Sequence, residues 1–269
     1  MFEILIQEMK LRNFSPRTME VYLAYNRRFL EYVRKGPRDV SAHDLRAYLL
    51  HLIEKRYSTS AVNLAHNALN FYYGKVLRKA VKTIPFQKRE QTLKEVLSKE
   101  EIRQLLEVTV NPKHRLMIEL LYASGVRVSE LVKIKTEQID EERKMLLVKL
   151  GKGNKDRYTL LSDKVILQIK AYLRSRKNKS SYLFDSSAGH ITLRTVQQVL
   201  NQAAKKAGIA RKVHPHLLRH SFATHLLESG VRESQIQQLL GHKDIRTTQT
   251  YARVTNKHLL GIKSPHQSL

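Results

Sequence analysis

Residues 144–161 read KMLLVKLGKGNKDRYTLL. Two short apolar runs, 144–150 and 157–161, flank the segment GKGNKD, which carries two glycines together with Asn154 and Asp156. Apolar strand, glycine-rich turn, apolar strand is a hairpin signature, and here the tip bears lysines. On both sides of this stretch the apolar residues return to helical spacing. Helices are predicted at 98–108, 112–124 and 127–135 before it. After it they are predicted at 163–176, 192–207, 215–229, 232–240 and 244–252. Ser98, with Glu101 three positions on, opens the first of these as a capping box. The predicted fold class is therefore mainly α, with one small β-hairpin or sheet confined to the C-terminal part.

Upstream the chain is helical throughout. Ser15 caps a helix that begins with Pro16 and places Met19, Tyr22, Leu23, Phe29, Leu30 and Val33 at helical spacing; Gly36 and Pro37 stop it. Ser41 with Asp44 starts another, supplying Leu45, Tyr48, Leu49 and Leu52, and a further helix runs from about Ser58 to Tyr73. Tyr22, Tyr48 and Tyr72 are read as core residues. The opening MFEILIQEMKLRNFS has early acids and no small-residue cleavage site, so it reads as an amphipathic helix and not a secretory signal. Residues 85–97, PFQKREQTLKEVL, are polar and poor in packing residues, the composition of a linker. The expected organisation is a helical domain over 1–84, a linker over 85–97 and a second domain with a C-terminal tail over 98–269.

The whole chain of 269 residues suits two modest domains. No apolar run is long enough to span a bilayer, so a membrane protein is not expected. Cysteine is absent, which removes thiol nucleophiles, disulfides and cysteine-ligated zinc together. A cytoplasmic location is the simplest expectation. Lysine and arginine number 49 against 24 acidic residues, a net charge of +25. The excess is shared, with 17 basic and 8 acidic residues in 1–92 and 32 and 16 in 93–269. Such a surface attracts a polyanion, and nucleic acid is the expected partner.

A phosphodiester is an anion, so attack on it needs cationic groups around the phosphorus. Arginine grips phosphate oxygens with two parallel bonds and keeps its charge. Without cysteine, a covalent route would use Ser, Thr, Tyr, His or a carboxylate. Residues 214–230, HPHLLRHSFATHLLESG, place His216 and Arg219 three apart on one face of a predicted helix, a phosphate grip able to move a proton. Each residue alone is also compatible with an exposed basic helix. His216 and His220 have zinc-like spacing, with His214 and His225 nearby, but Leu217 stands where a metalloprotease would need Glu. The tip GKGNK lacks the spacing and the Ser/Thr of a nucleotide-binding P-loop. No cofactor and no metal are expected.

Several motifs together resemble the tyrosine recombinase (phage integrase) family, and its Xer-type site-specific recombinases most of all. They are His216–His220 (HLLRH), Leu239–His242 (LLGH) and Thr247–Tyr251 (TTQTY), with His242 nine residues before Tyr251. Upstream, Ala123–Leu131 (ASGVRVSEL) resembles the family's first arginine box, and Gly151–Lys155 its lysine turn. Ser15-Pro16-Arg17-Thr18 with Tyr22 resembles the start of its helical (SAM-like) core-binding domain. The match runs over nearly the whole chain.

The resemblance implies a two-domain DNA clamp and a role for each matching position. Arg127 and Arg219 would bind the nonbridging oxygens of the scissile phosphate. Lys152 would protonate the leaving 5′ oxygen, with Lys155 the rival for that role. His216 would help remove the proton from Tyr251, and His242 would hydrogen-bond the phosphate. Tyr251 would attack, leaving a 3′-phosphotyrosyl link, and Glu130, one helical turn after Arg127, would buttress the site from behind. The partners implied are double-stranded DNA carrying a specific site and four protomers on two duplexes, or a second, non-identical recombinase. The tail after Tyr251 is a candidate segment for packing on a neighbour. A type IB-like topoisomerase and a catalytically silent DNA-binding protein are the alternatives.

Overall fold

The computed structural model describes residues 2–79, 95–149, 156–176, 178, 180–187 and 189–241. Its chain divides into two units, Met1–Thr92 and Leu93–Leu269. Lys152, His242, Tyr251, the predicted helix at 244–252 and the tail lie outside the described residues, as does most of the stretch read as a linker.

The first unit is helical: α1 (Glu3–Leu11), α2 (Pro16–Val33), α3 (Ala42–Glu54) and α4 (Thr59–Leu69), the last running directly into a π-helical turn at Asn70–Val76. The caps form where expected. Ser15 accepts from the Thr18 backbone N–H at 3.1 Å, Ser41 and Asp44 close a reciprocal capping box, and Ser58 accepts from Ala61. Tyr48 and Tyr72 are buried in the core beside Phe29, Leu45, Leu52 and Leu69, and Tyr22 packs half-buried and edge-on against Phe14. The π turn is a departure from a helix ending at Tyr73. Phe71, Tyr72 and Tyr73 are all buried. Successive residues of an α-helix diverge by about 100°, so three in a row cannot share one face. The wider turn lessens that divergence and keeps all three rings inside.

In the second unit α6 (Pro112–Ser124) is the central element, with Leu116, Met117, Ile118, Leu120 and Leu121 all buried. A helix apolar on nearly every side must be covered on every side. α5 (Lys99–Glu107), α8 (Asp163–Ser175), α9 (Leu193–Lys206) and α10 (Pro215–Glu228) pack on it. The predicted hairpin is present as β2 (Met145–Val148) and β3 (Arg157–Leu160), antiparallel with Val148 opposite Arg157 and Leu146 opposite Thr159. Leu146, Val148 and Thr159 face inward, and the Thr159 hydroxyl donates to the Ser124 carbonyl at 2.6 Å, fixing the sheet on the end of α6. A short β1 (Ile139–Asp140) adds a third strand, and β4 (Asp185–Ser186) with β5 (Gly189–His190) forms a second small hairpin.

The helix predicted at 127–135 is shorter than expected: α7 covers only Val128–Leu131. Val132 keeps αR dihedrals and closes the last turn, and beyond it Ile134 is buried between the more exposed Lys133 and Lys135. Ile134 accepts from the Leu183 N–H at 2.7 Å and Lys135 bridges to Tyr182, so the segment runs extended along 181–183. A β-branched residue with a pairing partner, Ile134, outweighs helical continuation. α11 (Glu233–Leu240) completes the described part of the unit.

Candidate active site

The site is built on Gly125, which ends α6 at φ +60°. A Cβ there would lie 2.3 Å from Phe222 Cδ1 on α10 and 2.9 Å from Leu240 Cδ2 on α11. Only glycine allows α6, α10 and α11 to meet this closely. Two residues later Arg127 caps α7. Its backbone N–H donates to Glu130 Oε2 at 2.7 Å and its Nη1 to Glu130 Oε1 at 2.9 Å. The Arg-Val-Ser-Glu motif thus supplies one half of a capping box, the N3 carboxylate accepting from the N-cap N–H, together with an ion pair.

Arg219 projects from α10, whose first turn is capped by His214 accepting from the Leu217 N–H at 3.2 Å and opened by Pro215. An acceptor Nδ1 places any ring proton of neutral His214 on Nε2. Burial and then the nearby Lys212 charge hold its pKa below the usual histidine value. Arg219 is buried, with 3% of its surface exposed. Its Nη1 donates to the Gly125 carbonyl and its Nη2 to the Leu240 carbonyl at 2.6 Å. Arg127 Nη2 stands 3.5 Å from the neighbouring Gly241 carbonyl. The two arginines therefore meet at the C-terminal end of α11, although they belong to distant parts of the chain. Helix C-termini carry unsatisfied carbonyls and a partial negative charge, which suits cationic donors.

A third arginine was not singled out from sequence. Arg157, at the start of β3, donates from Nη1 to Glu130 Oε1 at 2.9 Å and from Nη2 to Glu130 Oε2 at 2.7 Å. Its Nε donates to the Leu239 carbonyl at 2.8 Å. Leu239, Leu240 and Gly241 thus each face a different arginine. The available signal was modest: an arginine one residue beyond the lysine-bearing turn. Glu130 itself is buried. Burial alone would push its carboxyl up; hydrogen bonds and charge from Arg157, then the Arg127 backbone N–H and guanidinium, outweigh this and lower it to about 2.

Arg127 opens onto a cavity of about 650 Å³ whose lining includes Ser129, Lys133, Lys135, Glu137, Lys149 and Tyr182. Cations outnumber carboxylates along this wall, as a phosphodiester requires. His216 lies exposed in the first turn of α10, three positions before Arg219. His225 Nδ1 is within 2.9 Å of the Tyr122 hydroxyl, and burial lowers its pKa. Among the described residues no three His, Cys, Asp or Glu side chains gather as a metal site. The structure brings Arg127, Glu130 and Arg219 together; Lys152, His242 and Tyr251 lie outside what it describes.

The chain as a whole is similar to known proteins. The phage integrase family model matches residues 95–258, and the model for the phage integrase N-terminal SAM-like domain matches residues 1–83. The chain belongs to the phage integrase family of tyrosine recombinases. It is 40% identical over 258 residues to the tyrosine recombinase XerA of Pyrococcus furiosus, covering 93% of this chain and 88% of that protein. The crystal structure of a XerA recombinase is similar at TM-score 0.58 and 30% identity, covering 96% of this chain and 95% of the other. A XerH site-specific recombinase solved bound to a palindromic difH substrate in a post-cleavage complex shares the fold, with TM-score 0.75 at 23% identity over 92% of this chain and 79% of that one. No helix among the described residues is long and apolar enough to cross a membrane.

Proposed function

We propose that this chain is a site-specific DNA recombinase that cuts and rejoins strands through Tyr251. The observation that carries the reading is the meeting of Arg127 and Arg219 at Leu240 and Gly241, immediately before His242 in sequence, in a family whose members are named tyrosine recombinases. The two guanidinia hold the nonbridging oxygens and stabilise charge on the pentacoordinate phosphorus. Losing one such donor from a desolvated site costs on the order of 10²–10³ in rate. The Tyr251 oxygen attacks phosphorus, the bond to the 5′ oxygen breaks, His216 takes the phenolic proton, and Lys152 gives a proton to the leaving oxygen. His242 hydrogen-bonds the phosphate. A 5′ hydroxyl from another strand then reverses the step; bond energy stays in the phosphotyrosyl ester, so no nucleotide is consumed. Glu130 keeps Arg127 in place.

The substrate is duplex DNA bearing a recognition site, with four protomers joining two duplexes and residues after Tyr251 packing on a neighbour. The helical domain over 1–84 and the catalytic domain over 98–269 would each contact the duplex. The test uses a pool of nicked duplexes of randomised core sequence, in which the cleaved strand loses its short end and the protein stays trapped. Wild-type protein is expected to form denaturation-resistant adducts with a selected subset, and to exchange strands between two such duplexes. DNA binding without any adduct would mean a silent binding protein. Relaxation of supercoiled plasmid without exchange would mean a topoisomerase.

A further inference from the structure

We propose that Arg157 is a positioning residue for strand cleavage, fastening Glu130, the end of α11 and the foot of the β2–β3 hairpin into one rigid assembly. The inference rests on the recombinase reading above and adds to it a residue that the resemblance does not supply.

Three features of the geometry support it. First, Arg157 spends three N–H donors at fixed angles on two elements, Nη1 and Nη2 on Glu130 and Nε on Leu239. Only a guanidinium fork makes these bonds simultaneously; an ammonium is a single point of charge. Its side chain is 9% exposed, so the bonds are sheltered from competing water. Second, Gly241 accommodates it. A Cβ at Gly241 would lie 2.8 Å from Arg157 Cδ, and the residue sits at φ +63°. The glycine that closes α11 thus leaves the path along which Arg157 reaches Leu239. Third, Arg157 faces Val148 in the last pair of the hairpin among the described residues, and it stands five positions after Lys152 in the sequence. One side chain therefore links the roots of three motifs: the lysine turn, the first arginine box through Glu130, and the Leu-Leu-Gly-His box through Leu239.

The electrostatics point the same way. An Arg127–Glu130 pair alone would be neutral and would offer little field to an incoming phosphate. With Arg157 shared on the same carboxylate, the trio carries one net positive charge, and Arg127, whose side chain is 34% exposed, remains attractive to an anion. The Glu130 carboxyl, held at about 2 chiefly by Arg157 against the opposing effect of burial, stays charged at any working pH.

The test compares wild type, Arg157→Met and Arg157→Lys as full-length chains on one nicked duplex drawn from the adduct-forming pool. If wild type forms no adduct on any duplex, the recombinase reading fails and this inference falls with it. Given a wild-type adduct, Arg157→Met is expected to bind the duplex within about threefold of wild type but to form adduct about 100-fold more slowly, the scale of a 1 Å misplacement of a catalytic group. Its rate relative to wild type should fall further as the pH drops from about 8 to about 5, because burial then raises the Glu130 carboxyl with only Arg127 opposing it. Arg157→Lys keeps the charge and guards against a folding failure of the methionine variant; it should fold, bind and still cleave at least about tenfold more slowly. Wild-type rates in either variant would overturn the proposal. So would slowing that is independent of pH and matched by equal losses of binding and helical content.

Discussion

Glu130→Gln removes one charge from the most densely bonded buried group of the site and should have a large, pH-dependent cost. Four N–H donors converge on its two oxygens, two from Arg127 and two from Arg157. A glutamine can accept at one oxygen only, and its NH₂ would face arginine donors. Removing one partner of a buried ion pair costs about 3–5 kcal/mol. Linkage gives a similar figure. The carboxyl lies at about 2 in the fold against an ordinary 4.5, and each pKa unit is worth about 1.4 kcal/mol, so ionic stabilisation amounts to about 3 kcal/mol at neutral pH. For a unit of this size that lowers the melting temperature by roughly 6–12 °C. The sign of the pH effect follows from a depressed carboxyl: the contribution is complete above about 4.5 and fades as the pH falls toward about 2. Tryptophan is absent, so urea titrations followed by far-ultraviolet circular dichroism suit the protein. The stability gap between wild type and Glu130→Gln should be about 3 kcal/mol at pH 7 and should narrow steadily below roughly pH 4.5. A gap under about 1 kcal/mol at neutral pH, or one unchanged on acidification, would refute the assigned role of the carboxylate.

Other expectations follow from the same contacts. Gly125→Ala combines a left-handed backbone with a methyl 2.3 Å from Phe222 Cδ1 and should destabilise by at least about 2 kcal/mol, read by calorimetry; an unchanged melting temperature would show that α10 and α11 yield easily. Arg219→Ala leaves the Gly125 and Leu240 carbonyls without this donor and should slow adduct formation by about 10²–10³, and near-wild-type kinetics would remove Arg219 from the site. With its net charge of +25, the protein should lose DNA affinity by on the order of 10³ between 50 and 200 mM salt in fluorescence anisotropy titrations; a flat salt response would point away from phosphate contacts.

What the sequence made legible is what depends on near neighbours. Ser15, Ser41, Ser58 and Ser98 cap helices through partners three residues away, so each start could be read directly. The hairpin declared itself through its glycines, and Arg127 and Arg219 through their boxes. Long-range partners stayed hidden. Nothing near Arg157 announces that it pairs with Glu130, because the bond depends on β3 lying against α7 and α11. The shortened α7 likewise reflects pairing of Ile134 with Leu183, a partner far along the chain. The π turn at Asn70–Val76 answers to the burial of three adjacent aromatic rings, a tertiary demand that helical periodicity does not encode.

Recombination by the proposed route requires the phenolic oxygen of Tyr251 to become esterified to DNA. The direct measurement is proteolysis of the trapped adduct followed by mass spectrometry of the nucleotide-bearing peptide. The expected result is a single modified peptide spanning Thr247–Arg253, carrying the 3′ end of the cleaved strand on Tyr251, and no adduct at all from Tyr251→Phe. A modified residue elsewhere, a 5′ linkage, or an undiminished adduct from Tyr251→Phe would contradict it.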